Sequence, residues 1–182
     1  MGRRPGKTKA TEETVEAPKS KRPVYEDYYQ CKCSIEWTLP CLAGMPDLQK
    51  EKLVFERDAE GNIVFPAKHW RAIFGETMRL VDSTIYSTAK NYIYVEPAIL
   101  PKSEIGGKIK DMALPVGDRG LSTHESLPAG TKASFSFLVP RSILPPEKFQ
   151  KLLEMAGTYI GFSPAKHKMG YGRFKVIEFS AE

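Results

Sequence analysis

The residues with the widest chemical capacity in this 182-residue chain lie close together, between Gly161 and Arg173. Lys166, His167, Lys168 and Arg173 stand there among Gly161, Gly170 and Gly172, with Tyr171 between the last two glycines. Glycines let backbone N–H groups approach a phosphate closely, and cations beside them add attraction that ignores base sequence. Tyr171 can stack on a base, worth about 1–3 kcal/mol where such stacking occurs. The same pattern also fits glycines that only permit positive φ in a tight turn before a strand, with solvated lysines around them. A second cationic group is Lys68, Arg71 and Arg79. Lys68 and Arg71 are one helical turn apart and share a face, as they also would on an ordinary solvated helix.

Acid–base chemistry has three candidates, His69, His124 and His167. Imidazole titrates near pH 6.5 when unperturbed, which suits a general acid or base. His69 heads a helix and His167 lies in the glycine-rich stretch, so these two are the catalytic candidates. No spacing compels them to meet, and each also reads as a surface histidine. Cys31, Cys33 and Cys41 are an odd number, which argues against a disulfide framework. A zinc site would want a tighter pair and a second pair downstream, so no metal and no cofactor are expected. The patterns GxxxxGK[ST], HExxH and GxSxG are missing from the sequence. Nucleotide hydrolysis, zinc proteolysis and serine hydrolysis therefore have no support.

The elements that must position these residues follow from periodicity. Tyr29, Cys31, Cys33, Ile35, Trp37 and Leu39 alternate with polar residues, a strand signal. Leu53–Phe55 and Ile63–Phe65, joined by Asp58 to Asn62 with Gly61, read as a hairpin. Pro66 opens a helix in which Trp70, Ile73, Phe74, Thr77, Met78 and Val81 recur at three- and four-residue spacing. Tyr92 to Ile99 is β-branched and aromatic and reads as a strand ended by Pro97 or Pro101. Residues 101–130 show no clear period and read as a long connection, functional or disordered. Its Lys102, Lys108, Lys110 and Arg119, diluted by Glu104, Asp111 and Asp118, would suit a thumb-like extension. Ala133, Phe135, Phe137 and Val139 alternate as a strand. Pro145-Pro146-Glu147 starts a helix with Phe149, Leu152, Leu153 and Ala156 inward, and Gly157 stops it or lies just beyond its end. Phe174 to Phe179 closes the chain as a strand.

Removing the insertions leaves βαββαβ. The expected fold is thus α+β, a ferredoxin-like (RRM-like) core with an inserted β-hairpin and a long loop. With 41% hydrophobic residues the chain can build a real core without disulfides or metal. The formal charge is +5, and residues 1–22 hold seven basic residues against three acidic ones. They contain no aromatic residue, so 1–22 is expected to be a disordered basic arm and 23–182 the folded domain. No apolar run approaches the roughly 20 residues of a membrane span, and no apolar segment follows the first charges. The expected location is cytoplasmic.

Two stretches resemble a known family. Arg57 to Arg79 begins RDAEGNIVFPAKHWRAIF and runs on through GETMR, and Gly157 to Glu178 reads GTYIGFSPAKHKMGYGRFKVIE. They are similar to RAMP (repeat-associated mysterious protein) sequences, especially backbone subunits of CRISPR effector complexes. Together they cover about a quarter of the chain. The resemblance implies a ferredoxin-like fold, with the first helix and the glycine-rich loop bordering an RNA-facing surface. Departures are the single glycine in Ala43-Gly44-Met45 after the first strand, Ala67-Lys68-His69 in place of a small-residue turn, and a short body. These suit a divergent or phage-encoded member. Some backbone subunits carry a cleavage aspartate near the position of Asp47, and related processing enzymes cleave RNA with a histidine and no metal.

The expected function is non-catalytic binding of single-stranded RNA, or else single-stranded DNA, within a homo- or hetero-oligomer. The binding candidates are Lys68, Arg71, Lys166, His167, Lys168, Gly170, Tyr171, Gly172 and Arg173. The rivals are a metal-independent endoribonuclease using His69 or His167, and a phage structural or assembly protein.

Overall fold

The computed structural model describes residues 27–81, 91–115, 120–163 and 170–182. The expected arm at 1–22, and Arg119, Lys166, His167 and Lys168, lie outside these residues.

Strand β1 (Tyr28–Trp37) is central because its alternation is complete. Tyr29, Cys31, Cys33, Ile35 and Trp37 are buried on one face. Its neighbours are β10 (Lys132–Pro140) and β11 (Phe174–Ala181), both antiparallel, with Cys33 opposite Phe135 on one side and Phe179 on the other. The short β6 (Tyr94–Val95) pairs with the far edge of β10. The lateral order is β11-β1-β10-β6. Helix α1 (Ala67–Val81) lies in the chain between β1 and β6, and α2 (Pro146–Met155) between β10 and β11. The molecule is α+β, mostly strands with few helices.

One cluster joins the sheet to both helices. Inward Phe135 and Phe137 meet Trp70 of α1 edge-on at centroid distances of 5.0 and 5.2 Å, and Phe137 meets Phe149 of α2 at 5.3 Å. Burying such rings drives the fold, and the T-shaped arrangement places positive ring edges on negative faces. The opposite face of the sheet is polar, with Ser34 and Ser134 hydrogen-bonded across β1 and β10 at 2.9 Å.

A second sheet holds β2 (Cys41–Leu42), β3 (Met45–Asp47), β4 (Lys52–Val54), β8 (Lys110–Pro115) and β9 (Leu121–Leu127). Two sequence expectations change here. The chain turns back at Asp58–Asn62 as expected, but the antiparallel contact is the bridge between Arg57 and Ile63, with the Val64 N–H donating to the Glu56 carbonyl at 2.8 Å, and residues 53–55 do not pair with 63–65. Instead β4 pairs with β3 and touches β9 at His124, while β5 (Ile63–Phe65) pairs with β7 (Ala98–Leu100). Ile63 and Phe65 are drawn into the main core, where Phe65 packs on Trp37, Phe135 and Phe162, whereas Lys52 is held by Asp111 and Glu125. Residues 101–130 are not an unstructured connection. They contain the antiparallel ladder from Lys110–Ser126 to Pro115–Leu121. Three of its four consecutive buried residues, His124, Glu125 and Ser126, are polar, so hydrophobic periodicity has nothing to detect.

The single strand expected over 92–99 is broken into β6 and β7 at Glu96-Pro97, where proline removes a ladder donor. Beyond α2 the chain continues through a wide helical turn, Ala156–Ile160, and ends at Gly161 with φ of 84°. Gly157 therefore lies within helical chain. It is glycine for closeness, since a Cβ there would fall on the Phe174 carbonyl.

Candidate nucleic-acid interface

Four pieces of chain from both ends of the sequence enclose a groove of about 360 Å³. One wall is Cys41 to Pro46, and another is the first turn of α1, carrying Lys68 and His69. Phe55, Phe65 and Ile73 give it an apolar floor, and Phe162 with Ser163 closes it from the segment leading to the glycine turn.

The walls are held by directional bonds. Ala43 donates its N–H to the Glu125 carbonyl at 2.8 Å, and its own carbonyl meets Nδ1 of buried His124 at 2.8 Å. His124 is thus part of the frame. The Cys41 thiol donates to the Phe162 carbonyl at 2.7 Å, tying one wall to the closing segment. Burial pushes the Cys41 thiol up, and it pushes Cys31 and Cys33 up to about 12. All three are neutral packing groups.

The Arg-Asp lead into α1 is structural. Arg57 Nη2 reaches Glu125 Oε2 at 2.7 Å and its Nη1 donates to the Phe55 carbonyl at 3.1 Å. The same Glu125 oxygen accepts the Phe55 N–H at 3.2 Å. Asp58 folds the following turn by accepting the N–H groups of Glu60 and Asn62 and the Asn62 side-chain amide. The Asn62 bond, with the backbone donors behind it, outweighs desolvation and holds the Asp58 carboxyl below its ordinary range. Asp47 makes a similar turn with the N–H groups of Gln49 and Lys50.

The structure brings Lys68 and His69 together on the groove. Lys68 Nζ lies 3.6 Å from Glu56 Oε2 at the mouth, with 68% of its side chain exposed. His69 sets its ring edge-to-face on Phe162 at 5.7 Å. Arg71 is exposed on α1 and is not one of the residues lining the groove.

The glycine turn packs behind Phe162. Gly170 and Gly172 have φ of 73° and 76°. The Gly172 N–H donates to the Pro40 carbonyl at 2.8 Å, and the Gly172 carbonyl accepts the Phe162 N–H at 2.7 Å. The Gly161 N–H donates to the Ala156 carbonyl at 2.8 Å. Tyr171 is half-buried, and Arg173 Nη1 caps the wide turn by donating to the Thr158 carbonyl at 2.6 Å. Burial lowers the pKa of Arg173 from its ordinary value.

Sequence reasoning missed Glu56, Cys41 and Ser163 at the groove and Glu125 beneath it. The Ser163 hydroxyl is buried with no hydrogen-bond partner among the described residues. No group of three or more metal-ligating side chains is gathered among the described residues. Nor is any described helix long and apolar enough to cross a membrane.

No protein-family model matches the sequence, and no curated protein matches it. Among solved structures, a chain in the cryo-EM structure of the Type III-B Cmr-beta bound to cognate target RNA superposes with a TM-score of 0.67. The two share a fold. The match covers 86% of this chain and 61% of that one at 11% identity. This chain therefore spans about three-fifths of the length of its structural neighbour, and the likeness at that identity is one of fold.

Proposed function

We propose that this chain is a RAMP-like protein with a ferredoxin-like core that binds single-stranded RNA without cleaving it, as one part of a ribonucleoprotein assembly. The observation that carries the reading is the groove, where the first turn of α1 meets the segment leading into the glycine turn. The lateral order β11-β1-β10-β6, with a helix in each crossover, supports the ferredoxin-like assignment. The Arg57-Asp58 lead, the glycine turn before β11 and a fold shared with a chain of the RNA-bound Cmr-beta support the RAMP assignment.

In this reading Lys68 meets a phosphate at the groove mouth, and Arg71 meets the next one along the helix surface. Lys166, His167 and Lys168 of the glycine-rich stretch add further cations for the strand, and Tyr171 adds a ring. Gly170 and Gly172 shape the turn, and Arg173 fixes its position against the wide turn that follows α2. Residues 23–182 act as one cytoplasmic domain, and the basic arm at 1–22 adds sequence-independent attraction.

A salt titration of single-stranded RNA binding, read by fluorescence anisotropy, tests the reading. Affinity should fall linearly on a log–log plot as salt rises. Lys68→Ala and Arg71→Ala should each weaken binding across sequences and reduce the slope by about 1. Affinity indifferent to salt rules the site out.

One observation favours a second reading. His69 lies on the groove, so a metal-independent endoribonuclease would place its acid–base group there. Cleavage of labelled RNA in EDTA that disappears in His69→Ala would select that reading.

A further inference from the structure

We propose that β11 pairs edge to edge with β11 of a second copy of this chain, in an antiparallel two-fold dimer that joins the two four-stranded sheets. Such pairing needs no nucleic acid and stands apart from the RNA-binding reading.

The main sheet ends in two very different strands. β6 closes one side with two residues, too short to template a partner. β11 closes the other with eight, contains no proline, and among the described residues pairs with β1 alone. Its outer N–H and C=O groups are the kind a further strand continues. Apolar surface follows the same edge. Ile177 is 37% exposed, and Val176 and Phe179 are only partly buried against the core.

The strand fits itself. From Phe174 to Phe179 it reads FKVIEF. Turned antiparallel on a second copy, it sets Phe174 against Phe179, Lys175 against Glu178 and Val176 against Ile177. Apolar meets apolar and cation meets carboxylate. Directly opposed residues of an antiparallel pair must also share a face. In a regular strand these would not, because positions three or five apart point to opposite faces. β11 is irregular at the place that matters. Ser34 stands opposite Glu178 and Ile35 opposite Val176, so Ile177 is an extra residue, a bulge. The bulge resets the alternation. Phe174 and Phe179 both lie on the core face, opposite buried Trp37 and Cys33. Lys175 and Glu178 both lie on the polar face, opposite Glu36 and Ser34. A bulge often guards an edge against pairing. Here it makes the strand complementary to itself.

The charges are held in place on that face. Lys175 Nζ is 3.0 Å from Glu36 Oε1, and Glu178 Oε2 accepts the Ser34 hydroxyl at 3.3 Å. An ammonium has three donors and a carboxylate several lone pairs, so each keeps capacity for its opposite number in a second copy. The two-fold axis makes that pair twice. It also closes the contact, because each copy spends its β11 edge and no third copy adds there.

Sedimentation velocity on nucleic-acid-free protein tests the dimer. Wild type should show a concentration-dependent monomer–dimer equilibrium and nothing larger. Lys175→Glu and Glu178→Lys each set like charges against each other at both symmetric rungs, so either protein alone should dimerise about tenfold more weakly. An equimolar mixture of the two variants puts every cation opposite a carboxylate again. It should recover wild-type affinity as a heterodimer, read by a fluorescent label on one variant. Both positions are exposed, so near-wild-type urea midpoints should accompany the weakened dimers.

Wild-type protein that stays monomeric up to about 100 μM would overturn the dimer. So would charge reversals that leave it unchanged, or a mixture no tighter than its components, since either moves the contact off β11. Association that appears only with RNA, or that grows into open chains, would overturn it too and assign assembly to another surface.

Discussion

Gly172 and Gly170 have nearly the same left-handed φ, 76° and 73°, yet alanine should cost very different amounts at the two positions. The left-handed region costs an L-residue about 1–2 kcal/mol, a penalty common to both. At Gly170 a new Cβ would meet, among the described residues, only Leu39 Cδ1, at 3.4 Å, the tip of a side chain that is 43% exposed and free to turn. At Gly172 it would lie 2.6–2.7 Å from the backbone N, C and O of Phe162. That is about 1 Å inside the comfortable carbon contact of roughly 3.5–4.0 Å. Phe162 has no room to retreat. Its carbonyl takes the Cys41 thiol, its N–H is bound to Gly172 itself, and its ring packs on Phe65 and Trp70. Overpacking of this kind adds about 1–3 kcal/mol, giving roughly 2–5 kcal/mol in all for Gly172→Ala. With a urea m-value of about 2 kcal/mol/M, the midpoint should fall by roughly 1–2.5 M, against about 0.5–1 M for Gly170→Ala. Urea unfolding followed by tryptophan fluorescence measures both, because Trp37 and Trp70 are buried beside Phe162. Equal midpoints for the two variants would refute the argument, since φ alone would then account for both glycines.

Glu56→Gln removes the carboxylate that competes with phosphate for Lys68. An exposed pair of this kind is worth about 0–1 kcal/mol, so RNA affinity in an anisotropy titration at low salt should rise by up to about fivefold, the gain shrinking as salt is added. Cys31, Cys33 and Cys41 should resist iodoacetamide in native protein at pH 8 and react together on unfolding, as read by mass spectrometry; rapid native labelling would contradict their burial. Cys31 and Cys33 have folded pKa values raised to about 12, above the unfolded value of about 8.5. Their contribution to stability is therefore complete below pH 8.5 and lost as pH rises toward 12. Asp58 has the opposite sign. Its depressed pKa contributes stability above the unfolded value of about 3.9, lost as pH falls through the folded value, so Asp58→Ala should flatten the acid limb of a pH–stability curve below about pH 4.

How much was legible depends on whether burial and hydrophobicity coincide. They coincide in β1, where Cys31, Cys33, Ile35 and Trp37 alternate cleanly with polar residues, and in α1, where Trp70, Ile73, Phe74 and Met78 mark one face. They diverge at β9. His124 and Glu125 are buried because Ala43, Arg57 and Lys52 satisfy them, a condition set by residues some 70 to 80 positions away. The break between β6 and β7 had a local cause in Pro97, but its consequence, pairing with Ile63–Phe65, depends on the core. At the groove, Lys68 and His69 stand out in the sequence as polar residues heading an apolar helix. Ser163 and Cys41 do not, because what marks them is a missing partner and a bond across 121 residues.

Glu125 fastens Arg57, Lys52 and the Phe55 amide through its side chain and Ala43 through its carbonyl, so the root of the β8–β9 ribbon and the rim of the cleft are a single rigid piece. Farther out the described residues of the ribbon make no such ion pairs, and Leu121 near its outer end is 73% exposed. Evolution or an engineer can accordingly recode the exposed Leu121 without disturbing the cleft, while Glu125, Arg57 and Lys52 at the root tolerate little.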